Sequence, residues 1–203
     1  MSNVIEMLFG EGSGDVASYA ANRSLEHKPG AHWLYSSGTS NIVARIAAEA
    51  IGKSGEDFQT FMFDELFKPL GMKSPLPKFD AAGTFIGSSF CFCTARDFAR
   101  FGYLYLRDGV WEDQRILPEG WVDYARTPTP QPEGCEDLGY GAHWWLGICG
   151  PGSFSANGYE GQFTIIVPQK DLVIVRHGKS LDEAGEEVKR WLASVAKCFA
   201  DLP

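Results

Sequence analysis

The sequence predicts an α+β chain: a helical segment over residues 1–138, then three antiparallel strands and a C-terminal helix over residues 139–203. Two observations predict it. Up to Ala125, apolar residues recur three and four apart, the spacing of one helix face. From Tyr140 the pattern changes to alternation and short apolar runs, as strands require, and helical spacing returns only after Asp182.

Residues 1–30 read as irregular, with Gly10, Gly12 and Gly14 close together, although Asp15 is placed to cap a short helix through Ala21. Pro29-Gly30 marks a turn. Residues 39–51 form a helix in which Ile42, Ile46 and Ala50 lie at i, i+4 and i+8, beside Val43 and Ala47. Thr39 or Ser40 caps it and Gly52 closes it. A second helix runs from Glu56 to Phe67 on the stripe Phe58, Met62, Leu66, and Pro69 ends it.

Residues 73–93 hold Pro75, Pro77 and a short β-like stretch, where Cys91 and Cys93 alternate with Phe90 and Phe92 as buried strand residues would. Thr94 caps a third helix to Arg107, carrying Phe98, Phe101 and Tyr105 on one face. Pro118 opens a fourth, Glu119 to Ala125, because proline suits a first turn. Residues 127–138 form a proline-rich loop. The strands are Tyr140 to Ile148, Gln162 to Val167 and Leu172 to Val175, the last two joined by the short connection Pro168–Asp171. A final helix, Asp182 to Ala200, places Val188, Trp191, Leu192 and Val195 on one face. A sheet of three strands is narrow, so further strands are expected from elsewhere.

Composition bounds the function. A chain of 203 residues suffices for one domain with a sizeable core. A net charge of −8 without a basic cluster argues against binding nucleic acid or an anionic membrane. No apolar run approaches the ~18 residues of a membrane segment. Met1-Ser2-Asn3-Val4-Ile5-Glu6 has no basic start and no long apolar stretch, so it is no secretory signal; if Met1 is the true start, the chain is expected in the cytoplasm.

The five cysteines, Cys91, Cys93, Cys135, Cys149 and Cys198, are odd in number and lack a C-x-x-C, which suits neither a zinc knuckle nor a disulfide framework. His27, His32, His143 and His177 show no metal-ligand spacing, so no metal is expected. Gly10-Glu11-Gly12-Ser13-Gly14 has neither the preceding strand nor the spacing of a dinucleotide loop, and no cofactor is expected. No Gly-x-Ser-x-Gly elbow is present.

Four segments carry a signature: Pro29-Gly30-Ala31-His32-Trp33-Leu34-Tyr35-Ser36-Ser37-Gly38, Pro69-Leu70-Gly71-Met72, Thr94-Ala95-Arg96-Asp97-Phe98-Ala99-Arg100-Phe101-Gly102 and Asn157-Gly158-Tyr159-Glu160-Gly161-Gln162. In this order they resemble the β-lactamase-related serine hydrolases, a family that includes class C β-lactamases, penicillin-binding-protein-like carboxypeptidases, esterases and aminohexanoate-oligomer (nylon-oligomer) hydrolases. The Gly-x-x-Gly-Gln form and Trp144-Trp145 look closest to the last branch. The resemblance implies a β-lactamase/transpeptidase-like fold, with a helical domain inserted into an antiparallel sheet that takes strands from both ends of a longer chain. Residues 1–138 and 139–203 are then expected to make one incomplete domain, with the N-terminal strands and the nucleophile helix missing.

Family catalysis is acyl transfer through a serine activated by the lysine of Ser-x-x-Lys, with a tyrosine as partner base and backbone N–H groups holding the oxyanion. By resemblance Tyr35 matches the tyrosine of Tyr-x-Asn. A phenol ordinarily ionises near pH 10, so it accepts a proton at neutral pH only beside a cation. Ser37 stands at the asparagine position, where it offers no amide. The family's Lys-Thr-Gly strand is here Ala156-Asn157-Gly158; without the lysine, a β-lactam or terminal-carboxylate substrate is disfavoured. Gly158 leaves room for substrate backbone, and the Tyr159 N–H stands at the second oxyanion position. Asn157, Gly161, Gln162 and Trp145 complete the expected substrate-binding set. On sequence alone, Gly158 and Gly161 read equally well as a plain turn or bulge, and Trp144 and Trp145 as core residues.

The single Ser-x-x-Lys is Ser194-Val195-Ala196-Lys197, in the last helix and behind every other motif, so its match is read as coincidence. The expectation is a serine hydrolase of a small-molecule ester or amide, inactive as this chain alone, whose nucleophile comes from a missing N-terminal portion or a partner chain. The alternative is a non-catalytic binding protein derived from the same fold, with which Ser37 and Ala156 are compatible. An unrelated α+β interaction domain remains only if all four motifs are accidents.

Overall fold

The computed structural model describes residues 3–130 and 139–203, so the proline-rich loop lies outside the described residues from position 131, as does Cys135. The chain divides into two compact units, Met1–Pro69 with Lys73–Cys93, and Leu70–Met72 with Thr94–Pro203.

The start of the first unit is helical rather than irregular. It holds α1 (Asn3–Phe9), a 3-10 turn (Glu11–Gly14) and α2 (Val16–Ala21). The helical signal of α1 is short: Val4, Met7 and Leu8 span barely two turns before the glycines begin. Met7, Val16 and Ile86 form the core here, with Leu8, Tyr19 and Phe90 packed against them. Asp15 caps α2 as expected, accepting the Ser18 N–H at 3.0 Å.

Helix α3 (Ser37–Ala50) begins two residues earlier than its periodicity suggests, because Ser36, not Thr39 or Ser40, is the cap: its Oγ accepts the Thr39 N–H at 3.2 Å. Its buried face also differs. Asn41 and Ala48 are buried, while Val43 and Ile46 of the expected apolar group are exposed. Polar anchors decide this. Asn41 Oδ1 accepts the Ser88 N–H at 3.2 Å, Arg45 Nη2 reaches Asp15 at 2.8 Å, and Arg45 Nε reaches Thr84 at 2.8 Å. Buried polar groups must be bonded, and these bonds outweigh the apolar preference of one face.

Helix α4 (Gly55–Met62) passes into a wider turn, Phe63–Phe67, in which the Lys68 N–H reaches back five residues to Phe63 O. Strands β1 (Leu76–Pro77) and β2 (Cys91–Phe92) pair antiparallel. Cys91 and Cys93 are half-buried rather than buried, since β2 pairs only with β1 in a two-residue ladder.

In the second unit Thr94 caps α5 (Ala95–Leu106) as expected. A small hairpin follows, β3 (Val110–Trp111) and β4 (Gln114–Arg115). Helix α6 (Trp121–Ala125) starts not at Pro118 but after Gly120, whose φ of +77° breaks the run between them. The main sheet has four antiparallel strands in the order β5 (Trp145–Leu146), β6 (Phe154–Gly158), β7 (Gln162–Val167) and β8 (Leu172–Arg176). The periodicity reading had three. Strand β6 carries one large apolar residue, Phe154, so only the family resemblance pointed to it. The run expected over Tyr140–Ile148 shrinks to two residues because His143 (φ +65°) and Gly147 (φ +83°) leave the extended conformation.

Alternation along β7 builds a core on each face of the sheet. Phe163, Ile165 and Val167 pack with Leu192 and Val188 of α7 (Gly185–Lys197). Ile166 points the other way, into a cluster with Tyr105, Val122, Trp144 and Phe154. Each fully buried Ile or Phe contributes about 2 kcal/mol. On that side α5 comes so close that a Cβ on Gly102 would lie 2.8 Å from Val173 Cγ1. Trp191, expected on the buried face of α7, is exposed; Ala196 is buried beside Leu192 instead. At 3.6 residues per turn Ala196 lies one turn beyond Leu192, whereas Trp191 is rotated about 100° away.

Candidate functional site

Tyr35 and Ser37 belong to the first unit, and the other expected site residues to the second. The Ser36 cap fixes the chain where it enters α3. Ser37 is the first residue of that helix and Tyr35 lies just before the cap, its side chain half exposed. Gly38 lets α3 approach α2, since a Cβ there would lie 3.0 Å from the Ala20 methyl. An aromatic phenol is thus held at the rigid entry of a packed helix, a loop position from which side chains commonly reach solvent or substrate.

In the second unit, Ala156, Asn157 and Gly158 end strand β6. On one side they pair with β7, Gly158 opposite Gln162. On the other, β5 reaches only Phe154 and Ser155, so no described strand pairs with residues 156–158 along that edge. Asn157 is oriented from the same strand face: Ser155, itself fully buried, donates its hydroxyl to Asn157 Oδ1 at 2.8 Å. A glycine is required next, because a Cβ on Gly158 would lie 2.9 Å from Gln162 Cβ.

Tyr159, Glu160 and Gly161 then turn the chain back into β7. Glu160 (φ +58°) and Gly161 (φ +86°) both adopt left-handed conformations, so the turn is tight. Tyr159 is 81% exposed at this corner. Gln162 Nε2 donates to Gly178 O at 2.7 Å, and its Oε1 accepts the Gly178 N–H at 3.1 Å. A cavity of about 300 Å³ opens at this corner, lined by Asn157, Gly158, Tyr159, Phe163, Leu181 and Lys189 among others.

Of the two adjacent tryptophans, Trp144 is the core residue, 4.5 Å ring to ring from Tyr105. Trp145 is half-buried on β5, with the Tyr140 ring at 5.0 Å. Ser194 lies on α7, where its hydroxyl donates to Trp191 O at 2.6 Å. Arg176, Ser180, Leu181 and Lys189 also border the corner and carried no motif. The arginine that ends the otherwise apolar run Leu172-Val173-Ile174-Val175 was the available signal.

The model of a family described as beta-lactamase matches residues 6–197. Over 92 residues the chain is 33% identical to 6-aminohexanoate-dimer hydrolase of Paenarthrobacter ureafaciens, a stretch covering 41% of this chain and 24% of that protein. A solved Bacillus anthracis protein assigned as a 6-aminohexanoate-dimer hydrolase superposes with a TM-score of 0.75 at 23% identity, covering 95% of this chain and 52% of that one. A Mycobacterium bovis β-lactamase does so with a TM-score of 0.66 at 18% identity, over 96% of this chain and 73% of that one. The match thus spans about a quarter of the curated relative, and the chain about half of the Bacillus structure.

Proposed function

The chain belongs to the beta-lactamase family, and from that premise we propose that it forms part of a serine hydrolase that cleaves an ester or amide through an acyl-enzyme. The observation that carries this reading is the corner of Gly158 and Tyr159, at the end of a strand whose outer edge no described strand covers from Ala156 onward. Such an edge offers backbone groups to an extended substrate, and a rigid corner offers an N–H to a developing oxyanion. In this reading Tyr35 is the general base and Tyr159 supplies one oxyanion N–H. Asn157, Gly158 and Gly161 receive the substrate, with Ser37 and Trp145 in contributing positions. The name of the Paenarthrobacter relative makes a small linear amide the substrate class to try first.

The nucleophile is supplied, in the same proposal, by sequence outside these 203 residues, because no Ser-x-x-Lys precedes Tyr35. Two features support it. Strand β8 ends the sheet with the apolar run Leu172–Val175, an edge that proteins normally cover. Val43 and Ile46 of α3 are exposed, as residues awaiting a further segment would be.

A fluorophosphonate probe with intact-mass readout tests the proposal. The isolated chain is expected to remain unlabelled. The protein expressed from its complete coding region is expected to take one label, on a serine followed three residues later by lysine. Stoichiometric single-site labelling of the isolated chain would overturn the assignment of the nucleophile, and an unlabelled complete protein would overturn the hydrolase.

A further inference from the structure

The turn Tyr159-Glu160-Gly161 is held by more bonds than its length requires. Gln162 Nε2 donates to Tyr159 O at 3.2 Å and to Glu160 O at 3.4 Å, besides its bond to Gly178. The Ser180 N–H donates to Glu160 O at 2.9 Å. Arg176 Nη1 donates to Gly161 O and, at 2.9 Å, to Gly178 O, while its Nη2 donates to Ser180 Oγ at 2.7 Å. Every carbonyl of the three-residue turn therefore accepts a bond from Gln162 or from the segment 176–180.

The guanidinium lies directly under the turn: a Cβ on Gly161 would lie 2.7 Å from Arg176 Nη1. Among the described residues Arg176 forms no ion pair with a carboxylate. Its donors go to the backbone carbonyls of Gly161 and Gly178 and to the Ser180 hydroxyl.

We infer that Arg176, seconded by Gln162, is a positioning residue that preorganises the Tyr159 backbone N–H for an oxyanion and adds fixed positive charge behind it. The inference rests on the hydrolase reading above. Its physical basis is that a donor aimed in advance at a developing charge need not reorganise during the reaction, whereas a donor displaced by an ångström loses much of its effect. Arg176 touches no reacting atom; it acts through the turn.

The test uses the protein expressed from its complete coding region, with a p-nitrophenyl ester as substrate. Arg176→Met is expected to lower kcat on the order of 100-fold with KM changed about threefold or less. Arg176→Lys, which keeps the charge and can donate to both carbonyls, is expected to recover most of that loss. Amide hydrogen exchange at Gly178 and Ser180, whose N–H groups are bonded to Gln162 Oε1 and Glu160 O, is expected to quicken in Arg176→Met, while that of Ile165 in β7 stays slow. Where Arg176→Met does not fold, Ser180→Ala removes one anchoring bond and is expected to lower kcat about three- to tenfold. Unchanged kcat in the folded variant overturns the inference, as does a loss in Arg176→Lys equal to that in Arg176→Met. An unsubstituted protein that does not turn over the ester overturns the hydrolase reading itself, and that outcome is recognisable because it precedes any substitution.

Discussion

Gln162 and Gly178 are bonded in both directions: the side-chain amide of Gln162 donates to Gly178 O at 2.7 Å and accepts the Gly178 N–H at 3.1 Å. A side-chain amide used this way imitates a strand partner. It extends the β7–β8 ladder past Arg176, where backbone pairing with Phe163 ends. Replacing the amide by a carboxylate turns its donor into an acceptor facing the carbonyls of Gly178 and Tyr159. Gln162→Glu is therefore expected to lose about 1–3 kcal/mol of stability at neutral pH, measured by urea denaturation. Gln162→Met, which removes the bonds without adding repulsion, is expected to lose less. Equal losses in the two variants contradict the two-way bond.

Tyr35 gives a separate test of the chemistry. Its side chain is half exposed, so Tyr35→Phe removes a hydroxyl and little packing. The thermal midpoint is expected to move by a degree or two at most, on the order of 0.5 kcal/mol. In its proposed role as general base, its loss is expected to slow acylation of the complete protein by about 10²- to 10³-fold. A variant that acylates at the original rate removes Tyr35 from the mechanism.

The sequence made the helices with strong apolar spacing legible, together with caps Asp15 and Thr94, because caps and stripes are local signals. It misplaced elements wherever a distant bond decided. The buried face of α3 follows Asn41 and Arg45, whose partners Ser88, Asp15 and Thr84 lie 30 to 47 positions away. Strand β6 has no periodicity of its own, being Phe-Ser-Ala-Asn-Gly, and exists because β7 pairs with it. At the candidate site, a motif singles out Gly158 and Tyr159 as site residues, and their role stays a proposal. Arg176 was not legible, since a lone arginine after an apolar run shows nothing about the turn it will hold.

Asp15 links a helix cap to pH. The Ser18 backbone N–H, aided by the Ser18 side chain and Arg45, outweighs burial and holds the Asp15 carboxyl below its ordinary range. A depressed carboxyl contributes stability above its unfolded value, near pH 4, and that contribution is lost as pH falls through the lower folded value. At pH 7, Asp15→Ala is expected to cost about 1 kcal/mol, the usual worth of a cap. Asp15→Asn keeps a capping oxygen and is expected to cost less. On acidification below pH 4 the gap between Asp15→Asn and the unsubstituted protein is expected to close. A gap independent of pH, measured by urea denaturation across that range, rules out the charged cap.

Gly102 sets two opposing effects against each other. In the interior of α5, replacing glycine by alanine ordinarily stabilises a helix by about 1 kcal/mol. Here the new methyl would lie 2.8 Å from Val173 Cγ1 and 3.0 Å from Thr164 Cγ2, both on β-branched side chains with little freedom to rotate away. Overpacking of this kind costs about 1–3 kcal/mol, so the clash is expected to win and Gly102→Ala to be destabilising. Val173→Ala removes the nearer methyl and is expected to be destabilising alone, through the apolar contact it deletes. Combined with it, Gly102→Ala should become neutral or stabilising. The coupling energy of that double-mutant cycle is expected to exceed about 1 kcal/mol in favour of the double variant. Simple additivity would mean that α5 sits farther from β8 than the close approach of Gly102 to Val173 implies.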